Sequence, residues 1–198
     1  MKILYPVSLN LLDRPCVVIG NDREADEKAA ALREAGANVN RILDPDHVRD
    51  SDVTAAFFVI STPQDEELSA RLRALADTHR FLLCCIDQPS YGFVAMAAIV
   101  KAGPVRIAIS TAGLAPRVGK LIKEALQRAF DQKFVRFIAC QANQKVRNRK
   151  HFPDSSGKRR EAMIESAHGF QLDIAVHYPK WYEDSLQSML PNVEGPHG

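Results

Sequence analysis

The sequence has few cysteines, and their spacing does not favour the sites that cysteine usually builds. Its 198 residues include four cysteines. None of them forms a CxxC pair or lies near histidines at metal-ligand spacing. Cys84 and Cys85 alternate between the two faces of a predicted strand, which is typical of reduced core residues. We therefore expect free thiols, and the six histidines show no pairing that would indicate a metal site.

Long apolar runs are also missing. The longest, residues 93–100, is far shorter than the roughly 20 residues that a membrane-spanning helix needs. Residues 1–12 contain one lysine and a short apolar run, which Pro6, Ser8 and Asn10 interrupt. No small-residue cleavage site follows, so a secretory signal is not indicated. These features predict a cytoplasmic protein that does not associate with membranes.

A strong excess of one charge is absent from the chain as a whole. The formal net charge is +2, and no aromatic platform is interleaved with the basic residues, so nucleic-acid binding is not favoured. The charges are nevertheless unevenly placed. Residues 1–113 hold 12 Lys and Arg against 15 Asp and Glu, whereas residues 114–198 hold 14 against 9. This asymmetry suggests that the C-terminal part meets an anionic partner.

The first half of the chain alternates between apolar strand patterns and helical patterns. The predicted strands are residues 16–19, 39–43, 55–61 and 81–86. The predicted helices are residues 24–34 and 68–77. Continuous apolar strands separated by helices are typical of a parallel sheet that is covered on both faces. The pattern predicts an α/β fold with a Rossmann-like doubly wound sheet.

The second half begins with a predicted hairpin and continues as helices. Residues 93–100 and 105–110 are too close for a crossover helix, so we expect a hairpin that extends the sheet antiparallel. Pro116 opens an amphipathic helix with an apolar stripe that runs to Phe130. Further helices are predicted over residues 134–150 and 158–170, with a loop at 151–157 and a frayed tail at 191–198.

The loop after the first predicted strand has the position of a dinucleotide-binding fingerprint. It reads GNDREA over residues 20–25, and Asp44 lies where an acidic residue would meet a ribose hydroxyl. Only Gly20 of the three fingerprint glycines is present. On composition alone this is a weak signal.

Other segments, taken together, resemble a known family. They are YPVSLNLLDRPCVVIG (5–20), EKA (27–29), LREAGA (32–37), ID (86–87), GP (103–104), IAISTAG (107–113), AP (115–116) and GKRR (157–160). In this order and spacing the set resembles the N-terminal module of siroheme synthases, the precorrin-2 dehydrogenase and sirohydrochlorin ferrochelatase family. The resemblance extends from about residue 5 to residue 165.

This resemblance implies a function, a cofactor and a domain organisation. Proteins of the family oxidise precorrin-2 to sirohydrochlorin with NAD, and bifunctional members then insert ferrous iron. The resemblance implies a dinucleotide-binding domain over residues 1–113, a dimerisation region over 114–150 and a small helical domain over 151–198. The tetrapyrrole would lie in a cleft between them, and the protein would be a homodimer.

The resemblance also assigns site residues. Asp87 matches the family's catalytic aspartate and could act as the base that removes protons from the macrocycle; the alternative is that it only forms a turn before Pro89. The substrate-binding residues would be Ser110, Thr111 and Gly113; the hydroxyls of Ser110 and Thr111 could instead bond loop backbone. The cofactor-binding residues would be Gly20, Asn21, Asp22, Arg23, Glu24, Asp44, Pro45 and Thr62.

The acidic residues in the fingerprint loop argue against ordinary NAD binding. The family loop is close to GGGxVA, whereas here Asp22 and Glu24 stand at the phosphate-facing positions. Two like charges about 4 Å apart repel by about 4 kcal/mol at an effective dielectric constant near 20. Arg23 could reduce this repulsion. Acidic residues at a helix N-terminus also complement the helix dipole when no ligand is bound.

Three functional interpretations remain at this point. The first is a siroheme-pathway enzyme whose surviving activity is metal chelation without NAD. The second is a non-catalytic tetrapyrrole-binding or regulatory protein on the same scaffold. The third is a dehydrogenase that holds its cofactor in an unusual pose. In the C-terminal part, basic residues could meet an octacarboxylate tetrapyrrole or form only a solvated face; they are Lys145, Arg147, Arg149, Lys150, Lys158, Arg159 and Arg160.

Overall fold

A computed structural model describes residues 4–189. The chain divides into two compact units, Met1–Arg136 and Phe137–Gly198. The predicted tail at 191–198 lies outside the described residues. Within the described part of the chain, no helix is long and apolar enough to cross a membrane.

The first unit is built on a four-stranded parallel sheet. Its strands are β1 (Pro15–Ile19), β2 (Asn38–Ile42), β3 (Phe58–Ser61) and β4 (Leu82–Cys85), in the order β2-β1-β3-β4. Helix α1 (Arg23–Glu34) connects β1 to β2, and α3 (Glu66–His79) connects β3 to β4. A short 3₁₀ helix (Pro45–His47) and α2 (Asp50–Val53) lie between β2 and β3. The predicted doubly wound α/β fold is confirmed.

Apolar residues on alternate positions of the strands bury both faces of this sheet. Val17 and Ile19 of β1 pack with Leu72 of α3 in one core. Cys16 and Val18 point the other way and pack in a second core against α1. All four residues of β3 are buried, as expected of a central strand with a helix on either side.

The predicted hairpin forms, but it does not extend the main sheet. Strands β5 (Ala98–Ala102) and β6 (Val105–Ile109) pair antiparallel in a separate two-stranded sheet. The strand predicted from residue 93 was wrong at its start, because the backbone N–H groups of Phe93 and Val94 both donate to the carbonyl of Leu83. This bend occupies the carbonyl of Leu83 on β4, and β5 pairs with β6 instead.

Helix α4 (Pro116–Ala129) follows the hairpin and is fastened to it. The Gln127 side chain accepts from the N–H of Lys101 at 3.1 Å and donates to its carbonyl at 2.8 Å. The hairpin is also tied to the end of α1, where the Glu34 carboxylate pairs with Lys101 and with Arg106. These contacts hold the hairpin and α4 in the first unit.

The second unit contains most of α5 (Gln132–His151), which begins in the first unit, together with α6 (Ser156–Ser166) and α7 (Lys180–Met189). The loop predicted at 151–157 is shorter than expected because α5 continues through His151. The helix predicted to end at Phe170 ends at Ser166. Helix α7 was not anticipated from the sequence.

Candidate functional site

The residues assigned to a site by sequence follow the carboxyl ends of the parallel strands. Gly20 follows β1, Thr62 follows β3, and Asp87 lies two residues beyond β4. Asp44 comes two residues after β2. Because parallel strands end at a common edge, the fold places these residues along the edge where doubly wound proteins bind ligands.

The Asp22 carboxylate occupies the N-terminus of α1. Asp22 is the N-cap residue, and its carboxylate accepts a hydrogen bond of 2.7 Å from the backbone N–H of Ala25. The hydroxyl of Thr62 donates a second, short hydrogen bond to the same carboxylate. The pKa of Asp22 is held below its usual value, mainly by the hydrogen bond from Thr62 and secondly by the bond from Ala25. The carboxylate thus takes the position in which this fold offers N–H groups to a phosphate.

Gly20 allows Thr62 to reach Asp22. Gly20 has φ +125°, and a Cβ at this position would collide with the Thr62 hydroxyl oxygen. Thr62 is buried, and its oxygen also lies 3.3 Å from the carbonyl of Ile19. Gly20, Asp22 and Thr62 therefore form one packed group. The sequence assigned all three to the cofactor site, but 40 residues separate Asp22 from Thr62, and no spacing pattern predicts their contact.

Arg23, the cation that the sequence suggested as a partner of Asp22, pairs elsewhere in the structure. Arg23 pairs with Glu27 at 2.9 Å along the exposed side of α1, and Glu24 pairs with Lys28 at 3.2 Å. The cation that acts on Asp22 is instead Arg41 of β2, which contributes to the lowered pKa of Asp22.

Arg41 is the residue at this site that sequence reasoning missed. Its side chain is only 12% exposed and pairs with Asp26 at 3.0 Å. One guanidinium nitrogen, Nη1, is buried and has no hydrogen-bond partner among the described residues. A basic residue near the end of β2 could have been flagged from the strand prediction.

Asp44 makes local bonds at the end of β2. Its carboxylate accepts from the N–H of Asp46 at 3.0 Å and contacts Nδ1 of His47 at 2.6 Å. The bond from Asp46, followed by that with His47, lowers the pKa of Asp44. Pro45 is the first residue of the 3₁₀ helix. Asp44, Asp46 and His47 border an open cavity of about 810 Å³, which is also lined by Asn40, Arg41, Arg49 and Asp52.

Asp87 is exposed at the end of β4, and its carboxylate is available. Within residues 4–189, no hydrogen bond or ion pair involves this side chain. The backbone just before it is held in place, because the N–H of Ile86 donates to the carbonyl of Ser61. The backbone leading to Asp87 is therefore held in place, whereas the Asp87 carboxylate has no hydrogen-bond or ion-pair partner among the described residues.

The predicted substrate loop uses its hydroxyls locally. Ser110 Oγ accepts from the N–H of Ala112 at 3.2 Å, and Thr111 Oγ1 accepts from the N–H of Ala115 at 3.3 Å. Ala112 and Gly113 both have positive φ, so the chain turns sharply before α4. In the described structure no hydrogen bond or ion pair joins these hydroxyls to Asp87 or to Asp22. The described residues also contain no group of three or more His, Cys, Asp or Glu side chains that could hold a metal ion.

The sequence is similar to an NAD(P)-binding family model and to siroheme synthases. A family model described as "Putative NAD(P)-binding" matches residues 7–98. The siroheme synthase of Thioalkalivibrio sulfidiphilus is 26% identical over 182 residues, which cover 81% of this chain. The siroheme synthase of Xylella fastidiosa is 27% identical over 177 residues, 79% of this chain. These similarities support the resemblance of the chain to the N-terminal module of siroheme synthases. The chain spans 37% of the length of each of these two relatives.

A solved structure supports the fold of this module. The chain superimposes on SirC, a precorrin-2 dehydrogenase, with a TM-score of 0.62 and 20% sequence identity. The match covers 82% of this chain and 88% of that chain. The Rossmann-like architecture expected of the siroheme synthase module is therefore confirmed.

Proposed function

We propose that this chain acts in siroheme biosynthesis on a tetrapyrrole, as a metal chelatase that needs no NAD. The observation that carries the proposal is the position of the Asp22 carboxylate at the N-terminus of α1. It makes the hydrogen bonds that a pyrophosphate would otherwise receive there. The names of the relatives support the pathway, and the fingerprint loop supports the loss of the cofactor.

A dinucleotide does not fit the loop as it stands. A pyrophosphate would have to displace a carboxylate that is bonded to Ala25 and to Thr62 and is ionised at neutral pH. Glu24 adds a second carboxylate at the start of α1, where it pairs with Lys28 at 3.2 Å and remains 47% exposed. NAD, the cofactor that the family resemblance implies, therefore takes no part in the proposed reaction.

Asp87 is the proposed base for metal insertion. Incorporation of a divalent ion, taken as ferrous iron, releases two protons from the pyrrole nitrogens of the macrocycle. An exposed carboxylate without a protein partner can accept one proton at a time and pass it to water. Its place beyond the carboxyl end of β4 suits a ligand bound at this edge of the sheet.

Metal insertion without cofactor tests the proposal. The full chain is mixed with sirohydrochlorin and either Fe²⁺ or Co²⁺ under anaerobic conditions, and the absorbance change of the macrocycle is followed without NAD. We expect turnover above the uncatalysed rate that falls at least about 100-fold in Asp87→Ala. Glu67→Ala removes an exposed carboxylate from α3 and should leave the rate unchanged.

The alternatives predict different results in this assay, in a binding titration with sirohydrochlorin and in an oxidation assay with precorrin-2 and NAD. Saturable binding of sirohydrochlorin without faster metal insertion would identify a non-catalytic tetrapyrrole-binding protein. Oxidation of precorrin-2 that depends on NAD would identify a dehydrogenase with an unusual cofactor pose. The first result would overturn the chelatase proposal, and the second would overturn its claim that the chain does not use NAD.

We also propose that the chain is a homodimer through α4. Three apolar side chains on this helix, Val118, Leu121 and Ile122, are 42–50% exposed although they form one stripe. Apolar stripes of this kind are typical of faces that a partner covers. A second copy of the chain is the partner that the family resemblance implies.

A further inference from the structure

A cationic cavity lies between α5 and α6 in the second unit. Its volume is about 410 Å³. The lining residues are Lys145, Asn148 and Arg149 of α5 and Arg159, Arg160 and Met163 of α6. Lys145, Asn148 and Arg149 share one face of α5, since residues three and four apart on a helix are neighbours.

Hydrogen bonds that do not involve Lys145, Arg149 or Arg160 hold α5 and α6 in place. The Gln141 side chain donates to the carbonyl of Ser166 at 2.6 Å, and its oxygen bonds the Ser166 hydroxyl at 2.8 Å. Near the turn between the helices, the Arg159 guanidinium donates to the carbonyls of Phe152 and Pro153, both at 2.6 Å. The cavity is therefore preorganised by bonds that do not involve Lys145, Arg149 or Arg160.

The positive charges of the cavity are not neutralised by the protein. Lys145, Arg149 and Arg160 are exposed, and no acidic side chain in residues 4–189 forms an ion pair with any of them. Three cations close together repel one another, and this repulsion is relieved when an anion binds between them.

A buried asparagine in the wall of the cavity has a side-chain NH₂ group without a hydrogen-bond acceptor among the described residues. Asn148 is only 4% exposed. Its Oδ1 accepts from Gln144 at 3.1 Å, whereas its Nδ2 has no hydrogen-bond partner among the described residues. A buried N–H group without an acceptor is unfavourable, and native proteins seldom leave one so. An oxygen of a bound anion would supply the missing acceptor.

We propose that this cavity binds a small molecule through its carboxylate or phosphate group. The two guanidinium groups of Arg149 and Arg160 offer paired N–H donors that match the oxygens of either group. Lys145 adds charge, and Asn148 Nδ2 fixes the position of one oxygen. The proposal does not rest on the chelatase reaction, because the observations behind it all concern residues of the second unit.

Calorimetric titration of the full chain tests this site with two probes, inorganic pyrophosphate and citrate. We expect saturable binding of at least one probe with a submillimolar Kd at low ionic strength. Preference for pyrophosphate would identify a phosphate ligand, and preference for citrate would identify a carboxylate ligand. Arg149→Gln combined with Arg160→Gln should weaken binding at least about tenfold.

Two further variants separate a built site from general attraction between charges. Arg147→Gln removes an exposed charge from α5 outside the cavity and should change Kd less than twofold. Asn148→Asp keeps the size of the side chain but places a carboxylate in the wall, and it should abolish binding while circular dichroism shows the helices intact. Absence of saturable binding for both probes, or an equal loss in Arg147→Gln and in the Arg149/Arg160 double variant, would overturn the proposal.

Discussion

Removal of the Asp22 carboxylate should destabilise the first unit measurably. In Asp22→Ala, helix α1 loses its N-cap bond to Ala25, which typically contributes about 1 kcal/mol. The buried hydroxyl of Thr62 also loses a charged acceptor, and such bonds typically contribute about 1.5–3 kcal/mol. Water reaches the exposed Asp22 site, and Thr62 can turn to the carbonyl of Ile19. We therefore expect a net loss of about 2 kcal/mol.

Urea unfolding followed by circular dichroism measures this loss. Glu27→Ala is the matched control, because it removes an exposed ion pair with Arg23 from the same helix and should cost less than about 1 kcal/mol. A double-mutant cycle with Thr62→Val should give a coupling energy of about 1 kcal/mol. If Asp22→Ala costs no more than Glu27→Ala, the contact with Thr62 does not hold the loop.

Three further predictions concern charge, assembly and thiol reactivity. The pKa of Asp22 is lower in the folded than in the unfolded chain. The ionised carboxylate should therefore make the wild-type protein more stable than Asp22→Asn above about pH 4, and this advantage should disappear as the pH falls through the folded pKa. A stability difference that does not depend on pH would contradict this prediction. Leu121→Asp should convert a dimer to monomers or aggregates in sedimentation, and a monomeric wild-type protein at micromolar concentration would refute the dimer. Burial raises the pKa of Cys84 to about 12 and raises those of Cys16 and Cys85, whereas Cys140 is exposed. A thiol reagent at pH 8 should therefore modify one cysteine rapidly and three more only after unfolding, and two rapid modifications would contradict it.

The main sheet could be predicted because burial leaves a direct trace in the sequence. A run such as residues 55–60 is apolar throughout, which is typical of a strand covered on both faces. The place of the hairpin could not be predicted in the same way. The bonds from Phe93 and Val94 to Leu83 depend on how the chain bends after β4, and no periodicity encodes that bend.

The candidate site was predictable in position but not in its contacts. The acidic residues of the fingerprint loop are visible in the sequence, so the conflict with phosphate could be anticipated. The partners of Asp22 could not, because Thr62 lies 40 residues away and meets it only when β1 and β3 pair. Sequence proximity suggested Arg23 as the compensating cation, but the parallel pairing of β1 with β2 brings Arg41 to the loop instead.

Calorimetric titration with NAD tests most directly whether Asp22 closes the dinucleotide site. The unmodified chain should bind NAD no better than millimolar. The variant Asp22→Gly with Glu24→Val removes both carboxylates. Glycine at the N-cap costs only a few tenths of a kcal/mol, and the loss of the charged acceptor of Thr62 costs about 1.5–3 kcal/mol. Because folded domains are typically stable by about 5–15 kcal/mol, this variant should be less stable but folded, and it should bind NAD measurably. Micromolar affinity of the unmodified chain for NAD would contradict the account and identify a working dinucleotide site.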